Sequence, residues 1–194
     1  MILDNQEFPA LYVVKVEKLE KEEFSNLVCF ADEYIKVRLE TTRVPEQKKD
    51  AMLLANVLRK FLIKKHFGIS PEKQEIFFNE NGKPFLKNEN VFFNVSHSGD
   101  FVACVVGTKN VGVDVQKIAT YKKRTAEYIF DKDSADKIEK AENKNLEYTK
   151  QWAKLESFLK LKGTGFVNYK KGNHENVNQQ FYFVDDHVIS VCYE

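Results

Sequence analysis

The 194-residue chain is 43% hydrophobic and carries a formal charge of +1, enough apolar material for one medium domain or two small ones packed together. A charge so near zero supplies no whole-molecule field toward nucleic acid or an anionic membrane, so any basic site has to be local. No uninterrupted apolar run approaches a membrane span, Phe101 to Val106 being strand-sized. Met1 to Glu7 holds two acids and no basic stretch, unlike a secretory leader. Cys29, Cys104 and Cys192 are far apart and lack metal-ligand spacing. With only four histidines and no His/Cys cluster for zinc, they fit a reduced, cytoplasmic protein.

Leu11 to Val16 predicts a first strand. Between Glu46 and Phe67, the residues Leu53, Leu54, Val57, Leu58, Phe61 and Leu62 recur at helical spacing, and Gly68 stops the helix. Glu75 to Phe78 predicts a short strand, followed by a turn over Asn79 to Pro84 with an Asn-Gly pair at 81–82. A hairpin is expected next: Val91 to Val95 outward, a turn over Ser96 to Asp100, and Phe101 to Val106 back. After a break at Gly107 to Asn110, Val111 to Gln116 alternates strictly. The stretch Thr120 to Asn145 is charged and broadly helical. A helix spans Leu146 to Lys162 and stops at Gly163, and the strands Gln180 to Val184 and Val188 to Tyr193 close the chain as a hairpin. The fold class expected is α+β, with a long helix followed by a hairpin in each of two similar halves, 1–108 and 109–194, packed as a pseudo-two-fold dimer within one chain.

Four places hold residues that can carry chemistry. In Val111-Gly112-Val113-Asp114-Val115-Gln116 the valines share one face and Gly112, Asp114 and Gln116 the other. An acid in such a strand is costly to bury unless it is paired or metal-bound; the plainer account is an Asp bonded to a neighbouring loop. Glu156 and Lys160 form an i, i+4 pair beside the apolar stripe Trp152, Leu155, Leu159, for which a surface ion pair is the plainer account. Ser96-His97-Ser98 can hold phosphate oxygens, or simply shape a turn. Lys83, between Gly82 and Pro84, can present its ammonium to a phosphate, or be a solvated turn lysine. There is no nucleophile elbow, no Walker loop and no dinucleotide fingerprint.

Taken in order, Phe93-Asn94-Val95-Ser96-His97-Ser98, Gly112-Val113-Asp114-Val115 and Trp152-Ala153-Lys154-Leu155-Glu156-Ser157-Phe158-Leu159-Lys160-Leu161-Lys162-Gly163 resemble the motifs of the 4′-phosphopantetheinyl transferases, Sfp type, the monomeric pseudo-dimer. Gly82-Lys83-Pro84 is similar to that family's upstream turn, and the resemblance covers Asn81 to Gly165. It implies transfer of 4′-phosphopantetheine from coenzyme A to a serine of an acyl- or peptidyl-carrier protein, releasing adenosine 3′,5′-bisphosphate, with Mg²⁺ (or Mn²⁺) in a cleft between the halves. By motif position Asp114 and Glu156 would hold the metal together with Gln116, and Glu156 would be the general base. Ser96 and His97 would hold the 3′-phosphate region, Lys83 the adenine-side end and Lys160 the phosphates. Arg43, Lys48 and Lys49 lie where the family often has basic residues and align with none uniquely.

The chain departs from the family twice. Gln116 stands where a carboxylate is usual, and Leu155 where a lysine is usual before the catalytic glutamate. These departures motivate an alternative, a catalytically lapsed homologue that binds coenzyme A or a carrier domain without transfer. A second alternative is an α+β protein with no nucleotide site, its motif matches accidental. An acidic carrier would meet Lys122-Lys123-Arg124, with Tyr128, Ile129 and Phe130 as apolar contacts; a solvated charge run ahead of core residues is the plainer account. The partners expected are therefore a carrier protein and coenzyme A, with no nucleic acid, no membrane and a monomeric state.

Overall fold

The structure, a computed structural model, describes residues 9–87, 90–166, 169–172 and 177–194. The Met1 to Glu7 stretch discussed above lies outside them. The described residues form an α+β fold. Its elements run β1 (Ala10–Lys15), α1 (Lys21–Phe30), α2 (Glu33–Thr41), α3 (Glu46–Phe67), β2 (Ile76–Phe78), β3 (Pro84–Leu86), β4 (Phe92–Ser98), β5 (Phe101–Gly107) and β6 (Val111–Lys117). They continue through α4 (Lys123–Ile129), α5 (Lys132–Lys140), α6 (Lys144–Lys162), β7 (Asn178–Val184) and β8 (His187–Tyr193).

Two three-stranded antiparallel sheets carry the fold. One is ordered β1-β5-β4, the other β6-β8-β7, and β2 and β3 make a small separate ribbon. In each large sheet a strand, a long helix and a hairpin follow one another, and the hairpin's second strand takes the centre.

The sheets pack face to face. Leu11, Val13, Phe101, Ala103 and Val105 of the first meet Val111, Val113, Val115, Ile189 and Val191 of the second, as alternation along each strand dictates. On the outer face of the first sheet, Leu62 and Ile63 of α3 pack on Tyr12, Phe93, Cys104 and Val106. On the outer face of the second, α6 lies directly on the backbone of β6, its Ser157 hydroxyl bonded to that of Ser190 at 2.9 Å. Asp32, at the start of α2, ties that helix to α3 by accepting hydrogen bonds from Asn56, Arg59 and Lys60. Because Arg59 is almost fully buried, this pairing is what makes its charge tolerable there. Cys104 and Cys192 are buried and Cys29 is exposed, all as free thiols.

The long helices, the β8 hairpin and the stops at Gly68 and Gly163 fall where the sequence puts them. Three features differ. Helices α1 and α2 occupy a stretch where no element was expected from the sequence. The charged stretch after β6 forms two short helices broken at Phe130–Asp131. Ser96, His97 and Ser98 belong to β4, not to a turn; they pair with Ala103, Val102 and Phe101, so the reversal is confined to Gly99 and Asp100. No helix among the described residues is long and apolar enough to cross a membrane.

Candidate functional site

The site begins with an unpaired sheet edge. β6 bonds β8 on one side only, which leaves the N–H groups of every second residue on its other side without a ladder partner. β4 supplies those partners with side chains. Asn94 Oδ1 accepts from the Val113 N–H at 2.9 Å, Ser96 Oγ from the Val115 N–H at 3.3 Å and Ser98 Oγ from the Lys117 N–H at 3.1 Å. The alternation that sends Phe93, Val95 and His97 toward α3 sends these three polar residues to the seam between the sheets. Ser96 and His97 therefore work on opposite faces of β4.

Asp114 lies at this seam and is buried. Its Oδ1 accepts from Ser96 Oγ at 2.9 Å and from Lys160 Nζ at 2.6 Å, and Lys160 also donates to Ser96 Oγ at 2.8 Å. Its Oδ2 is buried with no hydrogen-bond partner among the described residues. One helical turn before Lys160 stands Glu156. Burial, then the Asp114 charge, push the Glu156 carboxyl above the usual glutamate range, and Lys160 acts against them.

Lys160 reaches Asp114, and the Asp114 charge is felt by Glu156, because Gly112 lets the helix down onto the strand. A methyl group at Gly112 would lie 2.1 Å from the Ser157 carbonyl oxygen and 2.5 Å from the Leu161 nitrogen. Gln116, on the same face as Asp114, is half-buried.

A cleft of about 210 Å³ runs along this side of α6. Its walls include Glu156, Lys160, Asn94, Phe166 and the turn Asn81 to Pro84. Lys83 is buried, and its ammonium points into the protein rather than the cleft: it donates to Asn110 Oδ1 at 2.6 Å, to the Leu161 carbonyl at 2.7 Å and to the Val111 carbonyl at 3.3 Å. Three acceptors use its three protons, and burial pulls its pKa down to about 8. Its turn is held further by Asn79 Nδ2, which donates to the Gly163 carbonyl at 3.0 Å. The side chain thus caps the C-terminal end of α6, where a cation is favoured.

His97 is half-buried. Burial first, then Lys48, Lys160 and Arg38, hold its imidazole below the usual range, inside a cationic setting. That setting suits an anion. Arg38 escaped the sequence reading because no element was expected over α2. Ser98 escaped it because the end of β4 was taken for a turn, and Asn94, though placed in a strand, because its partner, the Val113 N–H, lies on a distant segment. Arg43 and Lys49 show no hydrogen bond or ion pair with the site residues among the described contacts.

Leu155 is buried with Ala126, Phe130, Ile138, Tyr148 and Leu159, on a different side of α6 from Glu156. Phe130 belongs to the same cluster, so it is not a docking contact, as the sequence suggested it could be. Lys122, Lys123, Arg124 and Tyr128 are exposed.

No group of three or more His, Cys, Asp or Glu side chains that could hold a metal ion is found among the described residues. The donors present are two carboxylates and an amide oxygen. That set fits a hard cation that keeps waters and takes substrate phosphate oxygens, as Mg²⁺ does, and the unpartnered Asp114 Oδ2 is a buried anionic oxygen of the kind such a cation satisfies.

Comparison with known proteins adds an independent line. The profile described as 4′-phosphopantetheinyl transferase, N-terminal, matches residues 19–109. The chain is 35% identical over 117 residues to the 4′-phosphopantetheinyl transferase psf-1 of Bacillus pumilus, covering 58% of this chain and 50% of that protein. It is 31% identical over 125 residues to the 4′-phosphopantetheinyl transferase Sfp of Bacillus subtilis strain 168, covering 61% and 55%. It is 30% identical over 152 residues to the 4′-phosphopantetheinyl transferase ffp of Bacillus subtilis, covering 76% and 66%. The chain spans about half the length of the first two relatives.

Proposed function

The chain belongs to the 4′-phosphopantetheinyl transferase superfamily, Sfp type, and from that premise we propose that it moves 4′-phosphopantetheine from coenzyme A to a serine of an acyl- or peptidyl-carrier protein. The observation that carries this reading is that Lys160, which lines the cleft with Glu156, bonds the buried Asp114 of a strand more than forty residues earlier in the chain. We take the halves as 1–108 and 109–194, with the cleft between them, and the setting as cytoplasmic.

Asp114 Oδ2, Glu156 and the Gln116 amide oxygen would hold Mg²⁺ or Mn²⁺. When bound, the ion supplies charge neutralisation at the pyrophosphate. The remaining work falls to the chain. Lys160 sets a second positive charge at the phosphates. His97, with Lys48 and Arg38 beside it, receives the 3′-phosphate. The Gly82-Lys83-Pro84 turn forms a wall for the adenosine end by its backbone, since the Lys83 ammonium is engaged elsewhere.

Glu156 takes the proton of the carrier serine. The serine oxygen bonds to the β-phosphorus as the bond from that phosphorus to the bridging oxygen breaks. Adenosine 3′,5′-bisphosphate leaves with the electron pair. The exposed Lys122, Lys123, Arg124 and Tyr128 offer a basic, partly aromatic surface for an acidic carrier.

The test is mass spectrometry of an apo-carrier after incubation with the protein, coenzyme A and Mg²⁺. A gain of about 340 Da, the mass of the phosphopantetheine group, supports transfer, and Glu156→Gln should abolish it. Binding of coenzyme A with no mass gain on any carrier type would favour the lapsed homologue.

A further inference from the structure

A serine hydroxyl has one proton and two lone pairs, and Ser96 has spent all three. It donates to Asp114 Oδ1, and accepts from the Val115 N–H and from Lys160 Nζ. Nothing remains for a phosphate oxygen. The bond from Val115 N–H fixes Ser96 against the backbone of the strand that carries Asp114, so the hydroxyl is a rigid reference for that carboxylate. With Oδ1 held by both Ser96 and Lys160, the other oxygen is the one left over.

We propose that Ser96 is a positioning residue that locks Asp114 through Oδ1 and so reserves Oδ2 as the one Asp114 oxygen given to a divalent cation. This rests on the transferase reading for the identity of the cation, but assigns Ser96 to Asp114 rather than to coenzyme A. Ser98 provides the internal comparison. It satisfies the same edge of β6, at the Lys117 N–H, and has no bond to Asp114 among the described contacts. A purely structural role would therefore be shared by both serines, whereas a positioning role belongs to Ser96 alone.

The experiment titrates Mn²⁺ into the coenzyme A-free protein and reads free Mn²⁺ by electron paramagnetic resonance. Adenosine 3′,5′-bisphosphate binding without metal is measured in parallel. Ser96→Ala should weaken Mn²⁺ binding about ten-fold, the scale of removing a hydrogen-bond partner of a metal ligand, with less than about a two-fold change in bisphosphate affinity. Ser98→Ala should leave Mn²⁺ affinity unchanged, and Ser96→Thr, which keeps the hydroxyl, should largely restore it. If Ser96→Ala melts far below the wild type, Ser96→Cys, similar in shape but a weak donor, should show the same selective loss. Unchanged Mn²⁺ affinity in Ser96→Ala or Ser96→Cys, an equal loss in Ser98→Ala, or a selective loss of bisphosphate affinity would overturn the assignment, as would a wild type that binds no Mn²⁺. A wild type whose Mn²⁺ affinity depends on Ser96 but which modifies no carrier would defeat the transferase reading and leave Ser96 as assigned.

Discussion

Gly112 lies so close beneath α6 that a side-chain carbon there would stand 2.1 Å from the carbonyl oxygen of Ser157. Backbone atoms cannot swing aside as a flexible side chain can, so any residue larger than glycine lifts the helix. Gly112→Ala should destabilise the protein by about 1–3 kcal/mol, the usual cost of overpacking. It should also lower activity by more than its stability loss explains, because the same displacement draws Glu156 and Lys160 away from Asp114. Thermal melting and single-turnover rates measured on the folded fraction separate the two effects.

Leu155 invites an opposite substitution, restoring the lysine that the family usually has there. Its side chain is buried among Phe130, Ile138, Tyr148 and Leu159, so a lysine would take an ammonium into an apolar cluster. Leu155→Lys should cost about 2 kcal/mol or more without raising the rate of phosphopantetheine transfer. Denaturant melts and a carrier-modification time course decide it; a faster, equally stable variant would mean the lysine escapes toward the cleft.

These two residues show what the sequence made legible. Strand alternation at Val111 to Gln116 and helical spacing after Leu146 were enough to put Asp114 on one face and Glu156 with Lys160 on another, because side-chain period is a local property. The meeting of the two depends on Gly112, whose importance is a distance between backbones and has no local period. Asn94, Ser96 and Ser98 alternate with Phe93, Val95 and His97. Ser and Asn are also turn formers, however, and their pairing with β5 together with the unpaired edge of β6 explains why they stay extended. The Lys83 side chain was oriented wrongly from sequence for a similar reason: its acceptors, Asn110 and the carbonyls of Val111 and Leu161, come from distant segments.

Lys83 gives a pH dependence with a definite sign. Burial lowers its pKa in the folded protein to about 8 from the ordinary 10.5. Between those values the unfolded chain binds the extra proton, so this group makes the protein more stable as pH rises from 8 to 10.5. The gain disappears as pH falls back through 8. Relative to Lys83→Met, the wild type should gain on the order of 1–2 kcal/mol between pH 7.5 and 9.5. Urea unfolding of both proteins at the two pH values measures the difference, and a difference that is flat with pH would contradict the assignment of the shift to Lys83.

The exposed cations before and within α4 should act on the carrier alone. Lys122→Glu combined with Lys123→Glu should raise KM for an acidic carrier about ten-fold and more at low salt, since screening weakens surface charge pairs. KM for coenzyme A should not move, because these exposed side chains are not among the cleft walls. Steady-state kinetics with each substrate varied in turn checks both halves of the prediction.

On the proposed reading, Gln116 sets the metal requirement. It shares a strand face with Asp114 and is half-buried, and as an amide it offers a cation an oxygen without charge. Gln116→Glu adds a negative charge beside Asp114 and Glu156. With Mg²⁺ present that charge should tighten the site, lowering the Mg²⁺ concentration for half-maximal rate by several-fold. Without Mg²⁺ it should push Glu156 further in the direction that Asp114 already pushes it, since a third carboxylate makes each of the others harder to ionise. The two effects have opposite dependences on metal, so a Mg²⁺ titration of the rate at fixed pH, paired with an NMR titration of Glu156 in metal-free protein, tests them together. A Mg²⁺ requirement that stays fixed in the variant would mean that the side chain at 116 does not reach the ion.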